Sequence, residues 1–458
     1  MNKNKLEKII NELLKCEIDF ADIYYQKGLS TSYQYEESKI NNITSNIYEG
    51  IGIRTILNSN QKYAYSNDLE NENINILINN LKESYKENLN KKEIKLVDEK
   101  IVSSSPIISH EKFSNRKKKE LMDNIDKIIR SYDKRIIQVQ IFITENSYDV
   151  IVANSNSKYA KEKRSYTRLF ISAVAKNNDK ITTSYESVGI FGGYELLQNE
   201  DLEKLSNSVA ESVIKKFDEV SIKGGNMPVI IESGFGAVIF HEACGHALEA
   251  TTVSKNTSIL SNKIGEKIAS DKVTLVDDGT IKNGWGTTVI DDEGNKTQRN
   301  VLIEKGILKS YLVDIVGSII MNKPITGSGR RQNYQFLPTS RMNNTFLMPG
   351  TDKFEDMVKS IEYGLYAKKM GGGSVDPITG DFNFSVLEAY IIENGKISNI
   401  VKSASLIGNT LDILNNIEMV SDNLEYGPGM CGSDSGNVPV YIGQPTIKVS
   451  NILVGGDN

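Results

Sequence analysis

Histidine is the scarcest of the chemically versatile residues here: 458 residues contain only three, His110, His241 and His246. Any chemistry that needs an imidazole must use these positions. Cysteine is equally sparse, and Cys16, Cys244 and Cys431 are far apart and odd in number. That excludes a disulfide framework and suits a reducing compartment. Charge of one sign is lacking too. A formal net charge of −5 from 54 basic and 59 acidic residues gives no electrostatic reason for nucleic acid to be a main partner, and direct nucleic-acid binding is not expected. No apolar run approaches the ~20 residues that a membrane span requires. At the N-terminus, Leu6, Ile9, Ile10, Leu13 and Leu14 share one helical stripe interleaved with charges, unlike the unbroken apolar stretch of a signal peptide. These absences together predict a soluble cytoplasmic protein with no membrane partner.

What is present is ordinary globular material, with 39% hydrophobic and 25% charged residues, enough chain for two to three domains. After the first helix, FADIYYQKG, TSYQYEES, NIYEGIGIRTILN and KYAYSND read as short antiparallel strands joined by tight turns. Apolar positions at helical spacing recur over 68–90, 112–131 and 200–217, with strand-like stretches between them. The basic run NRKKKE (115–120) opens one of these helices and reads as a solvated face, and His110, in PIISHEKF, as a surface loop residue. The texture changes at SIKGGNMPVIIESG (221–234), where glycines and a proline mark a boundary. Beyond it, NVLIEKGILKSYLVD and SVLEAYIIENGKISNIV read as hairpins around an E(K/N)G turn. The expected fold is α+β: a mixed sheet-and-helix domain over 1–222, then a mostly antiparallel β domain over 223–458 that carries a metal-site helix.

That helix is read from IFHEACGHALEA (239–250). A catalytic zinc site needs about three protein ligands, an open position for water and a base to take its proton. In the familiar H-E-x-x-H pattern, a four-residue step sets both rings on one helix face. Here the step is five, which on an ideal helix turns the side chains about 140° apart. A π-bulge, or a helix that ends or distorts within the motif, restores a common face, and Gly245 is where distortion strains the backbone least. Spacing alone leaves open a second reading, two buried histidines held by hydrogen bonds. No histidine lies downstream, so a third ligand must be Cys, Asp or Glu. Cys431, in YGPGMCGSDSG (426–436), is placed by its glycines on a loop free to approach a metal, where a thiolate beside two imidazoles makes a good zinc set. A loop thiol of no consequence is the competing reading. Cys244 points away from the two rings and reads as a small buried hydrophobe.

HEACGHALEA, with GSGRRQNYQFLPTSRMNNTFLMPG (327–350), GGGSVDPITGDFNFSVLEAYIIENGKI (371–397) and GPGMCGSDSG (427–436), resembles the TldD/PmbA family of peptidases. The likeness is to the TldD branch, which carries the metal motif, not the PmbA (TldE) branch, which lacks it. It implies that His241, His246 and Cys431 hold one Zn2+ and that Glu242 is the general base. It also implies a cytoplasmic metallopeptidase acting on unfolded or extended peptides, as a homodimer or with a PmbA/TldE-like subunit. Zinc itself comes from the resemblance, since iron(II) suits the same ligands. The rival is a non-catalytic metal-containing binding protein that modulates gyrase or an antitoxin. Arg330, Arg331, Arg341 and Asn344 match the family signature, with cleft support and substrate contact both open as roles.

Overall fold

The computed structural model describes residues 1–88, 93–101 and 106–456, and its architecture is α+β. The first half is one sheet of long strands: β1 (Phe20–Glu36), β2 (Lys39–Leu57), β3 (Asn60–Ser66), β4 (Val97–Asp98), β5 (Ile136–Asn154), β6 (Lys158–Asn177) and β7 (Lys180–Phe191). They run in the order β3-β2-β1-β5-β6, with β4 and β7 both paired to β6. Of the four short strands predicted over 20–68, the first two are one long strand, β1, the third lengthens into β2, and the fourth is the short β3. Gly28 reads as a break, yet β1 runs straight through it, because the neighbouring β5 backbone comes too close for a side chain: a Cβ there would stand 2.3 Å from Tyr148 Cβ. The turns between strands need no glycine either, since Glu37–Ser38 and Asn58–Ser59 adopt positive φ themselves.

Strict alternation gives this sheet two different faces. Tyr33, Tyr35, Val139, Ile141, Ile143, Leu169 and Ile171 bury under the helices Asn115–Tyr132 and Leu202–Lys215. Ala21, Ile23, Tyr25, Ile51 and Ile53 bury under Lys3–Leu13 and Asn71–Lys82. The latter helix is shorter than the 68–90 window, whose last two residues lie outside the described ones. The opposite face sends Tyr24, Val150, Val152 and Ala160 against Ile290 and Tyr334 of the second half. The basic run is a solvated face except at one residue: Asn115, Arg116, Lys117, Lys119 and Glu120 are exposed, whereas Lys118 is buried, 2.5 Å from Glu145 and 2.9 Å from the Tyr33 hydroxyl. The expectation for His110 fails. His110 is half-buried, with Nε2 2.8 Å from Thr167 Oγ1, and burial lowers its pKa.

The second half holds two main sheets. One has the order β11-β10-β9-β14-β21-β20, built from β9 (Leu275–Asp278), β10 (Arg299–Glu304), β11 (Ile307–Leu308), β14 (Asn344–Leu347), β20 (Glu425–Ser433) and β21 (Gly436–Gln444). A two-stranded ribbon, β12 (Gly329–Arg330) with β13 (Thr339–Ser340), lies between in sequence. In the other, β8 (Gly225–Ile231), β15 (Tyr363–Val375), β16 (Asp381–Glu393), β18 (Ala404–Asn409) and β22 (Ile447–Gly455) close on themselves through a β15–β16 pairing. β17 (Lys396–Val401) and β19 (Ile417–Val420) extend it. Pairing is mostly antiparallel, with β14–β21 and β8–β15 parallel. Both predicted hairpins form, with Lys305–Gly306 and Asn394–Gly395 at positive φ. Apolar side chains of both sheets and of residues 238–248 make one shared core. No helix among the described residues is long and apolar enough to cross a membrane.

The halves are joined by buried charge. Arg54 of β2 is fully buried and pairs with Asp22 and, at 2.8 Å, with Glu293. Arg164 of β6 reaches Asp292 at 2.6 Å and the Ile290 carbonyl at 2.8 Å. Burial pushes the Glu293 carboxyl up to about 8 against the pull of Arg54. Arg54→Ala leaves Asp22 and Glu293 buried without their cation and is expected to destabilise the protein by about 3–5 kcal/mol. A urea unfolding midpoint equal to wild type would show that this pairing contributes little.

Candidate metal centre

The HExxxH segment changes helical pitch three times. Residues Gly234–Ala237 form a 3₁₀ turn, Val238–Phe240 one α turn, His241–Gly245 a π turn and His246–Leu248 another 3₁₀ turn. The His246 N–H donates to the His241 carbonyl, an i→i+5 bond that makes five residues one full turn. The two imidazoles therefore share a face, edge to face with ring centroids 5.1 Å apart. Hydroxyls bond the carbonyls along this changing pitch: Thr410 Oγ1 donates to Ala243 at 2.8 Å, Thr252 Oγ1 to His246 at 3.1 Å, a carbonyl that also accepts from Glu249 N–H, and Ser258 Oγ to Ala247 at 2.6 Å. Gly245 contributes space, not conformational freedom. Its φ of −58° and ψ of −52° are ordinary, but a Cβ there would stand 2.0 Å from Met342 Sδ.

Cys431 lies on strand β20, not on a loop. β20 nonetheless brings its sulfur to the rings: ligand atoms of His241, His246 and Cys431 all lie within 4.8 Å of one another, with Sγ 3.2 Å from His246 Nε2. Burial alone would raise the Cys431 thiol, but the His241 and His246 rings override it and bring it down to about 3, the direction that favours the thiolate. For His246, burial pulls the pKa down, yet Glu249 and Cys431 hold it well above the ordinary range. Among the described residues, neither buried ring nitrogen of His241 has a hydrogen-bond partner, and a cation bound by one of them would relieve that one. Two imidazoles and a thiolate are a donor set for zinc or a similar borderline ion. Among the described residues no other group of three His, Cys, Asp or Glu is so placed. Glu242 is half-buried on the accessible side, with Oε2 3.8 Å from His246 Nε2. Cys244 stays out of the cluster, its thiol in the core and pushed up to about 12 by burial.

The arginine-rich signature is hydrogen-bonded into the framework. Arg330 donates to the Met342 and Pro439 carbonyls at 2.5 and 2.8 Å. Arg331 bonds the Asp292 carbonyl and the Tyr63 hydroxyl, bridging the two halves. Asn344 donates to the Asp278 carbonyl and accepts from Gly286 N–H. Arg341 donates to the carbonyl of Cys431 at 2.6 Å. One residue that spacing did not single out is Glu249, whose carboxylate accepts from His246 Nδ1 at 3.0 Å. Its signal was its place three residues after His246, within a flank read only as helix-favouring.

Because Gly245 makes room for Met342, Gly245→Ala is expected to lose about 1–3 kcal/mol through overpacking. Adding Met342→Ala removes the colliding sulfur, and the double variant is expected to be less destabilised than the two single losses summed. Strict additivity in thermal unfolding would mean that the contact does not decide the glycine.

Three family models match in chain order: the PmbA/TldA metallopeptidase domain 1 over residues 21–84, the central domain over 109–217 and the C-terminal domain over 224–456. A protein of Buchnera aphidicola subsp. Acyrthosiphon pisum named metalloprotease TldD homolog is 35% identical, over 100% of this chain and 98% of its own length. One of Saccharolobus solfataricus, named zinc metalloprotease TldD homolog, is 26% identical over 98% and 99%. The crystal structure of TldE from Thermococcus kodakarensis superposes with a TM-score of 0.79 at 21% identity, over 99% of both chains, and shares the fold. With all three models matched in order and a full-length relative this similar, the chain belongs to the PmbA/TldD family of metallopeptidases.

Proposed function

We propose that this chain is a zinc metallopeptidase that hydrolyses peptide bonds of unfolded or extended peptides, with His241, His246 and Cys431 holding the ion and Glu242 acting as general base. The observation that carries the reading is the convergence of two imidazoles and a thiolate, with a carboxylate on the accessible side. The name of the Saccharolobus relative supports zinc. A divalent ion held there supplies Lewis acidity, making water nucleophilic near neutral pH and polarising a carbonyl. The chain's own part is proton transfer and alignment. Glu242 takes the proton of the attacking water and hands it to the leaving amine. His241 and His246 are held on one face by the π turn, so neither ring must reorganise during turnover.

An extended substrate fits the strands around the site. The carbonyls of Gly429 and Cys431 on β20 already accept from Trp285 and Arg341, which closes that stretch to an added strand. β15 packs beside the π turn, and its stretch Met370–Val375 pairs only with β16, with Gly372 and Gly373 exposed. A peptide laid along this edge makes main-chain hydrogen bonds that ignore sequence. A second copy of this chain or a TldE-like subunit then encloses the cleft in the cytoplasm, and the fold shared with TldE supports such a partner.

Glu242→Gln is expected to keep the ion and lose roughly 10²–10⁴-fold in turnover. Undiminished cleavage would remove Glu242 as the base. Cys431→Ala is expected to lower bound metal, and unchanged stoichiometry by elemental analysis would place the third ligand elsewhere. Unfolded casein incubated with metal-loaded protein is expected to yield new termini that a chelator suppresses. Binding without cleavage supports the non-catalytic reading instead.

A further inference from the structure

Two buried polar atoms beside the cluster have no hydrogen-bond partner among the described residues, Glu249 Oε1 and Arg341 Nε. They lie 3.9 Å apart, and the rest of each side chain is committed to a different part of the site. Glu249 Oε2 accepts from His246 Nδ1 at 3.0 Å. A ring that gives Nε2, the atom 3.2 Å from Cys431 Sγ, to an ion keeps its proton on Nδ1, the atom that Glu249 faces. Arg341 holds the opposite wall. It donates to the Cys431 carbonyl at 2.6 Å, to Ser435 Oγ at 2.8 Å and to the Gly436 carbonyl at 3.0 Å. Both residues are buried, Arg341 completely. A carboxylate present only to neutralise this guanidinium would bond it directly, yet Glu249 sits closer to the imidazole than to the arginine.

We infer that Glu249 and Arg341 are one positioning clamp for the metal centre. Glu249 sets the tautomer and angle of the helix ligand, Arg341 sets the strand that carries the sulfur, and their opposite charges fix the distance between the two. The inference rests on the metal-site reading above and adds two residues to it. It also gives Arg341 a role that neither general cleft support nor substrate contact describes, because every donor it uses points toward the Cys431–Gly436 hairpin or toward Glu249.

The test uses full-length protein stripped of metal and titrated with Co(II), whose thiolate charge-transfer band reports the sulfur and whose affinity is read by competition with a chromophoric chelator. Glu249→Ala is expected to weaken Co(II) by about 10- to 100-fold. Glu249→Gln, whose amide oxygen still accepts from Nδ1–H, is expected to recover part of that loss. Arg341→Lys is expected to weaken Co(II) and shift the band. The double variant Glu249→Ala/Arg341→Lys is expected to be weaker than Glu249→Ala by less than the Arg341→Lys effect alone, as members of one unit behave. Wild-type affinity in Glu249→Ala, no recovery in Glu249→Gln, or strict additivity in the double variant each overturns the clamp. If Glu249→Ala does not fold, Glu249→Asp replaces it. One methylene short of the ring, Asp is expected to bind Co(II) more weakly than Gln, and the reverse order overturns the inference. Wild-type protein that gives no charge-transfer band overturns the metal-site reading itself, a result distinct from all of these.

Discussion

The hydrogen bond from the His246 N–H to the His241 carbonyl is what the rest of the site depends on. An α-helical ladder would give that N–H to Glu242 and swing the imidazoles to different faces. Nothing local favours the wider turn, so the surroundings impose it. Phe240, Ala243, Cys244 and Leu248 anchor the segment in the shared core, and Met342 fills the space that Gly245 leaves. Three hydroxyls donate to carbonyls along the changing pitch. The strain of an irregular helix is thus balanced by packing and polar contacts from segments distant in sequence.

The same economy of contacts links the first half of the chain to the site. Arg54 and Arg164 of the long sheet grip the loop Ile290–Glu293. That loop holds the backbone of Gly329 and Arg331 through Asp291 and Asp292. Arg330 then ties this ribbon to the carbonyls of Met342 and Pro439, next to β20. The described residues of the first half add nothing to the His241–His246–Cys431 cluster but set the platform on which the sulfur-bearing hairpin rests. This is mechanical support, in which each contact is satisfied in one arrangement.

How much of this was legible depended on whether the signal was local. Helix stripes, strand alternation and the E(K/N)G turns are written in neighbouring residues, and they appear where periodicity puts them. The motif's five-residue step was legible as a problem, and a π turn was one of its two solutions. Long-range packing was illegible. Gly28 looks like a strand end, yet Tyr148, far along the chain, explains it. Lys118 looks solvated within its basic run, yet Glu145 and Tyr33 draw it inside. Glycines around Cys431 suggested a loop, whereas Glu425–Ser433 pairs throughout with β21. Glu249 was hidden because a carboxylate in a helix-favouring flank has no signature until the ring it orients is seen.

The pairing of β1 with β5, which joins Asp22 to Asn154 and Glu36 to Gln140, has a consequence for how the molecule assembles. β1 and β2 form a hairpin from adjacent residues, so that ribbon closes early, with little loop entropy to overcome. Its other edge must then wait, exposed, while the chain through β5 emerges from the ribosome, because no nearer strand can complete the sheet. High contact order of this kind makes folding slow and leaves a sticky template in the interval. That exposed edge belongs to a sheet whose strands contribute nothing to the His241–His246–Cys431 cluster.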